Sequence, residues 1–201
     1  APQKDRPAGA VKVQKMGESS LADAPERRSH IGKRNDFRDV GIALDGDADR
    51  LILVDEKGNV LDGDKILAIA AIALKNTNKL AKNTVVATVM ANKGFDVAMQ
   101  KHNITIKKTT VGDRYVIEEM RKNGYNLGGE QSGHIIYNEY VTTGDGTITA
   151  LQILKSMREE QKKLSQLAQG IEMYPQVLIN VQVKEKKPLE QLEKMNKQMQ
   201  A

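Results

Sequence analysis

The sequence predicts an α/β fold: a mainly parallel, mixed sheet with helices on both faces, followed by a partial α+β segment at the C-terminal end. Three observations carry this expectation. Runs such as Val40–Leu44, Leu51–Val54 and Thr84–Thr88 are apolar or β-branched and too short for helices, so they read as buried strands. Between later strands lie amphipathic stretches of about ten residues, the length of a helical crossover. Most of those stretches open on a residue whose side chain can cap a helix. Strands alternating with such helices imply right-handed crossovers, which set strands parallel and press the helices onto the sheet faces.

Residues 1–38 stand apart. They hold three of the five prolines, dense charge and no sustained apolar period. Such a stretch buries too little to offset the entropy of ordering it, so an irregular or disordered segment is expected. The α/β domain is expected over residues 39–172. Val40–Leu44 and Leu51–Val54 are its first strands, Glu56–Asn59 a turn, and Val60–Leu61 the return of a hairpin. Asp62 or Asp64 caps a helix that runs to Lys75, with Ile66, Ile69, Ala70 and Ala73 on one face. Thr84–Thr88 is the next strand, and Asn92 caps a helix over Lys93–Lys101. Ile104–Ile106 is a strand, Gly112-Asp113 opens a helix over Arg114–Lys122, and Asp145 opens a long one from Gly146 to about Lys162. Residues 173–201 read as the start of a truncated C-terminal domain. Val177–Val183 alternates like a strand, and Pro188 suits the first turn of a helix over Leu189–Gln200.

Composition narrows the function classes. In 201 residues there is no cysteine, which excludes disulfides, thiolate zinc sites and a cysteine nucleophile. Three histidines, His30, His102 and His134, make a multi-histidine metal site improbable. The net charge is +5, but five tyrosines, two phenylalanines and no tryptophan leave few stacking platforms, so no nucleic-acid partner is expected. No stretch approaches the ~18 consecutive apolar residues of a spanning helix, so no membrane partner is expected either. Ala1–Asp5 lacks an apolar leader, and a cytoplasmic location is the expectation.

Three motifs could carry chemistry. Asp45-Gly46-Asp47-Ala48-Asp49-Arg50 lies between two apolar strands. Carboxylates at alternate positions converge on one side of an extended chain. Their mutual repulsion calls for a cation, and oxygen-only ligands favour Mg²⁺ or Ca²⁺ over zinc. An EF-hand loop needs glycine where Arg50 stands and a helix where a strand follows, and a solvated acidic turn is the plainer alternative.

The second motif is Gly128-Gly129-Glu130-Gln131-Ser132-Gly133-His134. It offers carboxylate, amide, hydroxyl and imidazole groups beside glycines that admit a ligand closely, a mixture suited to a polyhydroxylated ring. A polar turn with a structural histidine is the alternative. In the third, Val111-Gly112-Asp113-Arg114-Tyr115, Arg114 near a helix start can meet an oxyanion or simply lie on the surface. Asp145 in Thr142–Gly146 is most simply a helix cap.

These motifs, in this order, resemble the α-D-phosphohexomutase family over about residues 41–183, matching its third domain and the start of its fourth. Gln131, with Val111–Tyr115 upstream, most resembles the bacterial branch that acts on glucosamine phosphates. The resemblance implies interconversion of glucosamine 6-phosphate and glucosamine 1-phosphate through a phosphoserine and a bisphosphate intermediate, on the route to UDP-N-acetylglucosamine. It implies Mg²⁺ held by Asp45, Asp47 and Asp49, and Arg50 beside the reacting phosphate as electrostatic stabiliser or proton carrier. Glu130 and Ser132 would hold the sugar hydroxyls, with His134 and Arg114 as further candidates for substrate contact or proton transfer.

None of Ser19, Ser20, Ser29, Ser132, Ser156 or Ser165 stands in the family's phosphoserine pattern, so the expectation is a partial chain that is inactive alone. Two other classes remain open. One is a non-catalytic Mg²⁺-dependent sugar-phosphate-binding remnant. The other is an aspartate-nucleophile phosphatase, which also sets Asp-x-Asp after a strand.

Overall fold

The computed structural model describes residues 13–15 and 40–177. Its strands are β1 (Val13–Lys15), β2 (Val40–Leu44), β3 (Leu51–Asp55), β4 (Val60–Leu61), β5 (Thr84–Thr88), β6 (Thr105–Thr109), β7 (Leu127–Gly129) and β8 (Ile135–Tyr137). Its α-helices are α1 (Gly63–Asn76), α2 (Lys93–Lys101), α3 (Asp113–Asn123), α4 (Gly146–Glu160) and α5 (Leu164–Leu167). The strand expected over Val177–Val183 and the helix over Leu189–Gln200 fall outside the described residues, apart from Val177. So does most of the N-terminal segment. Within it, β1 pairs in parallel with β2, Val13 opposite Ile42.

The strands form two four-stranded sheets. The first has the order β1-β2-β3-β4, and β2, β3 and β4 run as an antiparallel meander. The second has the order β6-β5-β7-β8, with β5 between parallel β6 and β7, and β8 antiparallel to β7. Parallel pairing in the second sheet therefore lies where α2 and α3 serve as crossovers. The short links Glu56–Asn59 and Glu130–His134 cannot make a crossover and form hairpins instead, which makes the sheets mixed. The acidic motif is itself a hairpin loop, because Leu44 pairs with Leu51 across it.

Side-chain alternation explains the layers. In β5, Val85 and Ala87 join the main core while Val86 points to the opposite face. In β8, Ile135 and Tyr137 divide from Ile136 in the same way. Val86 and Ile136 meet Val116 and Met120 of α3. Helices α1, α2 and α4 contribute Ile66, Leu67, Phe95, Met99 and Ile153 to the other face, all fully buried. The second sheet is thus covered on both faces, as the sequence predicts for a doubly buried strand such as Thr84–Thr88.

Local signals set the helix starts. The Asp62 carboxylate accepts from Lys65 N, Asn92 Oδ1 from Gly94 N, and Asp145 Oδ1 from Ile148 N. Helix α3 ends at Gly124, in the left-handed conformation common after a helix. The β3–β4 turn is tied by Asp55, whose carboxylate accepts from Lys57 N, Asn59 N and Asn59 Nδ2. Burial opposes ionisation there, yet the bonds from Asn59 and Lys57 hold the Asp55 carboxyl below its ordinary range.

Asp64, the other candidate cap, plays a different part. It is 0% exposed, and its Oδ2 accepts from Asn92 N at 2.7 Å while Oδ1 has no partner. Burial, reinforced by Asp62 and Asp96, pushes its carboxyl up to about 6 against the pull of the Asn92 N–H and Lys108. A raised carboxyl favours folding below the unfolded-state value near 3.8 and loses that contribution as pH rises through about 6. Asp64→Asn keeps an acceptor for Asn92 N–H and removes the buried charge. It is expected to stabilise the chain at pH 7.5, on the order of 2 kcal/mol, and to change little at pH 4. Thermal midpoints measured across that range check this; parallel pH profiles for the two proteins would contradict it.

Candidate functional site

The acidic loop and the glycine-rich loop meet where the two sheets join. Arg50 and His134 form an antiparallel bridge, and Leu51 N donates to Gly133 O at 3.1 Å. The glycine-rich loop is a tight turn between β7 and β8. Gly133 N donates to Glu130 O, and Glu130 N to His134 O. Its backbone also rests on the start of α1, where Gly63 N donates to Gln131 O at 3.1 Å. A Cβ at position 63 would collide with the carbonyl of Glu130 and the amide of Gly133, so only glycine permits that approach.

The three aspartates of the acidic loop converge. Asp45, Asp47 and Asp49 each offer an oxygen within 4.8 Å of the other two. The convergence does not come from an extended chain. The loop curls, with Ala48 at a positive φ of 63°, and its carbonyl accepts from Gly146 N at 2.9 Å. The N-terminal end of α4 thereby abuts the acidic loop and sets its partial positive charge beside the carboxylates. Arg50 N donates to Asp45 Oδ1, and Arg50 Nε lies 3.9 Å from both Asp45 and Asp49. That distance gives attraction without a hydrogen bond, and the guanidinium remains half-exposed. Burial, and then repulsion from Asp45 and Asp47, push the Asp49 carboxyl up, with His134 pulling the other way. Converging carboxylates that repel one another, and that Arg50 approaches only from 3.9 Å, suit a hard divalent cation that prefers oxygen ligands.

His134 is only 3% exposed, and its Nε2 lies 3.5 Å from Asp49 Oδ2 while Nδ1 has no hydrogen-bond partner. Its ring packs so closely on Gly144 that any Cβ there would strike it. It is thus a buried neighbour of the acidic cluster. Glu130 Oε1 accepts from Gly112 N at 2.9 Å, which ties the glycine-rich loop to the turn before α3. Ser132 is exposed at the tip of its turn. Arg114 is 79% exposed and pairs with Glu118 one turn along α3 at 2.8 Å. Of the sequence candidates, Asp45, Asp47, Asp49, Arg50 and His134 come into direct proximity, Glu130 and Ser132 lie on the adjoining turn, and Arg114 is engaged on its own helix.

Gly63, Gly144 and Gly146 were not singled out by the sequence, yet they allow the two loops, His134 and α4 to close on one another. The run Thr142–Gly146, with two glycines around a helix cap, was the available signal. No helix among the described residues is long and apolar enough to cross a membrane.

Comparison with known proteins identifies the family. Residues 62–174, more than half of the chain, match the model of the phosphoglucomutase/phosphomannomutase alpha/beta/alpha domain III. A phosphoglucosamine mutase of Caldanaerobacter subterraneus subsp. tengcongensis is 56% identical over 170 residues, which covers 80% of this chain and 38% of the relative. One from Thermoanaerobacter sp. is 61% identical over 146 residues, 73% of this chain and 33% of the relative. The chain therefore spans about a third of the length of these relatives. The fold is similar to that of Aspergillus fumigatus N-acetylphosphoglucosamine mutase, crystallised with GlcNAc-6P and magnesium. The TM-score is 0.56 at 19% identity, over 72% of this chain and 35% of that one. Matched to that domain over more than half of its residues, the chain belongs to the phosphoglucomutase/phosphomannomutase family.

Proposed function

We propose that this chain is the metal- and sugar-binding part of a phosphoglucosamine mutase. The complete protein would interconvert glucosamine 6-phosphate and glucosamine 1-phosphate through a phosphoserine and a bisphosphate intermediate, supplying UDP-N-acetylglucosamine synthesis in the cytoplasm. The observation that carries this reading is the Arg50–His134 bridge, which sets three converging carboxylates beside a turn bearing Glu130 and Ser132. High identity to proteins named phosphoglucosamine mutase supports the choice of an aminosugar phosphate over other hexose phosphates.

Asp45, Asp47 and Asp49 would hold Mg²⁺. When bound, Mg²⁺ supplies charge neutralisation for a phosphoryl group in transfer. The remaining work falls to the chain's own residues. Arg50, half-exposed at the rim of the acidic loop, faces incoming phosphate oxygens with its charge and can steady them. Glu130 accepts and Ser132 both donates and accepts, so the turn can hold ring hydroxyls in either orientation of the sugar. One oxygen of Glu130 is already held by Gly112 N–H, which orients the carboxylate before substrate arrives. His134 braces Asp49 from beneath, and its burial keeps it from open substrate space. Arg114, solvated and paired with Glu118, reaches a substrate phosphate only after exchanging that partner.

Three outcomes test the proposal. Titration calorimetry with Mg²⁺ is expected to show one site, weakened roughly tenfold or more in Asp47→Asn. Equal affinity in the variant would remove the acidic loop as the metal site. With Mg²⁺ present, Glu130→Gln is expected to weaken glucosamine 6-phosphate binding about tenfold, the loss of one charge-assisted hydrogen bond. Unchanged affinity would dissociate the turn from the sugar. The isolated chain is expected to show no mutase turnover in a coupled assay, because no serine in it stands in the phosphoserine pattern. Turnover comparable to that of a complete relative would refute that expectation.

A further inference from the structure

Beyond α5 the chain crosses the start of α2 as an irregular strap. Ile171 is buried at its beginning, and a Cβ at Gly94 would collide with the carbonyl of Glu172. Asn92, 5% exposed, grips the strap through both backbone polar groups of one residue. Its Nδ2 donates to Tyr174 O at 2.8 Å, and its Oδ1 accepts from Tyr174 N at 2.9 Å. The backbone N–H of Asn92 is anchored on buried Asp64.

Two residues further on, the Gln176 amide makes three connections. Its Oε1 accepts from Asn92 Nδ2 and from Gln131 Nε2, each at 3.2 Å. Its Nε2 donates to Met90 O at 3.0 Å. Both lone pairs of the Gln176 oxygen and both protons of the Asn92 amide are therefore used. Gln131 lies between Glu130 and Ser132, and its carbonyl already holds Gly63 N–H. Its side chain is thus turned away from a ligand-reading role and onto the strap.

We propose that Asn92 and Gln176 are positioning residues for the glycine-rich turn: through Gln131 they lock the backbone that presents Glu130 and Ser132 to the strap that leads into the C-terminal residues. The consequence is mechanical. A displacement of the strap pulls on Gln131 first, so the geometry of the hydroxyl-reading turn and the position of the following chain change together. This inference rests on the reading of the turn as sugar-binding.

The test uses the 201-residue chain, with amide hydrogen exchange and calorimetry on the same samples. Gln176→Ala is expected to speed exchange over residues 129–134 about three- to tenfold while α3 stays protected. Gln131→Ala is expected to do the same, and the double variant no more than either alone. Gln176→Glu retains an acceptor for Gln131 and Asn92 but loses the donor to Met90 O, so it is expected to restore protection in part, to a level between the parent and Gln176→Ala. Affinity for glucosamine 6-phosphate with Mg²⁺ is expected to fall by about the same three- to tenfold factor in the alanine variants and to recover in part in Gln176→Glu. Unchanged exchange in both single variants, or additive effects in the double, overturns the relay. Faster exchange with unchanged sugar-phosphate affinity overturns the positioning role. If the parent chain binds no glucosamine 6-phosphate yet the exchange pattern appears, the relay stands and the sugar-binding reading falls.

Discussion

The architecture depends on one junction between its two sheets. At Arg50 and His134 the hairpin loop of the first sheet and the hairpin loop of the second are stitched by backbone hydrogen bonds. Because the stitches are made by N–H and C=O groups, the side chains of both loops are left to do chemistry. The other close contacts serve the same junction. Gly146 N–H holds the Ala48 carbonyl, Gly63 N–H holds the Gln131 carbonyl, and the His134 ring lies on Gly144. The loops sit on rigid elements at each end, which is what fixes a site to within fractions of an ångström.

That junction concentrates negative charge. Asp45, Asp47 and Asp49 crowd together, and the available counter-charges act only in part. Arg50 stands too far off for a hydrogen bond, α4 offers a partial charge, and His134 is positive only when protonated. Among the described residues these charges offset the crowding only in part. This crowding is what supports the proposed cation site, and the neighbouring turn, with its exposed hydroxyl and half-satisfied carboxylate, adds polar surface beside it.

Much of the fold was legible from the sequence because its signals are local. Capping by Asp62, Asn92 and Asp145 depends on residues three or fewer positions away, and β-branched runs identify strands by themselves. The differences have local and tertiary causes. Strand β6 was expected at Ile104–Ile106 but spans Thr105–Thr109, because Lys107 and Lys108 suit a polar edge strand. Helix α5 has four residues, too few to show a period. Asp64 reads like a cap, and only the packing of α1 against the start of α2 reveals it as a buried carboxylate.

The site divides along the same line. By itself the sequence determined which groups are present: three carboxylates at alternate positions, a glycine-flanked run of polar side chains, and the family they resemble. With no cysteine, it also excluded thiol chemistry in this chain. Tertiary structure alone decided that the two motifs adjoin, that His134 faces Asp49 from a buried position, and that Arg114 lies out on its helix. It also decided that Gln131 turns to the strap. The reason is distance along the chain: residues 45–50 and 128–134 are brought together by a sheet junction made of backbone groups, and a backbone hydrogen bond carries no residue-specific signature.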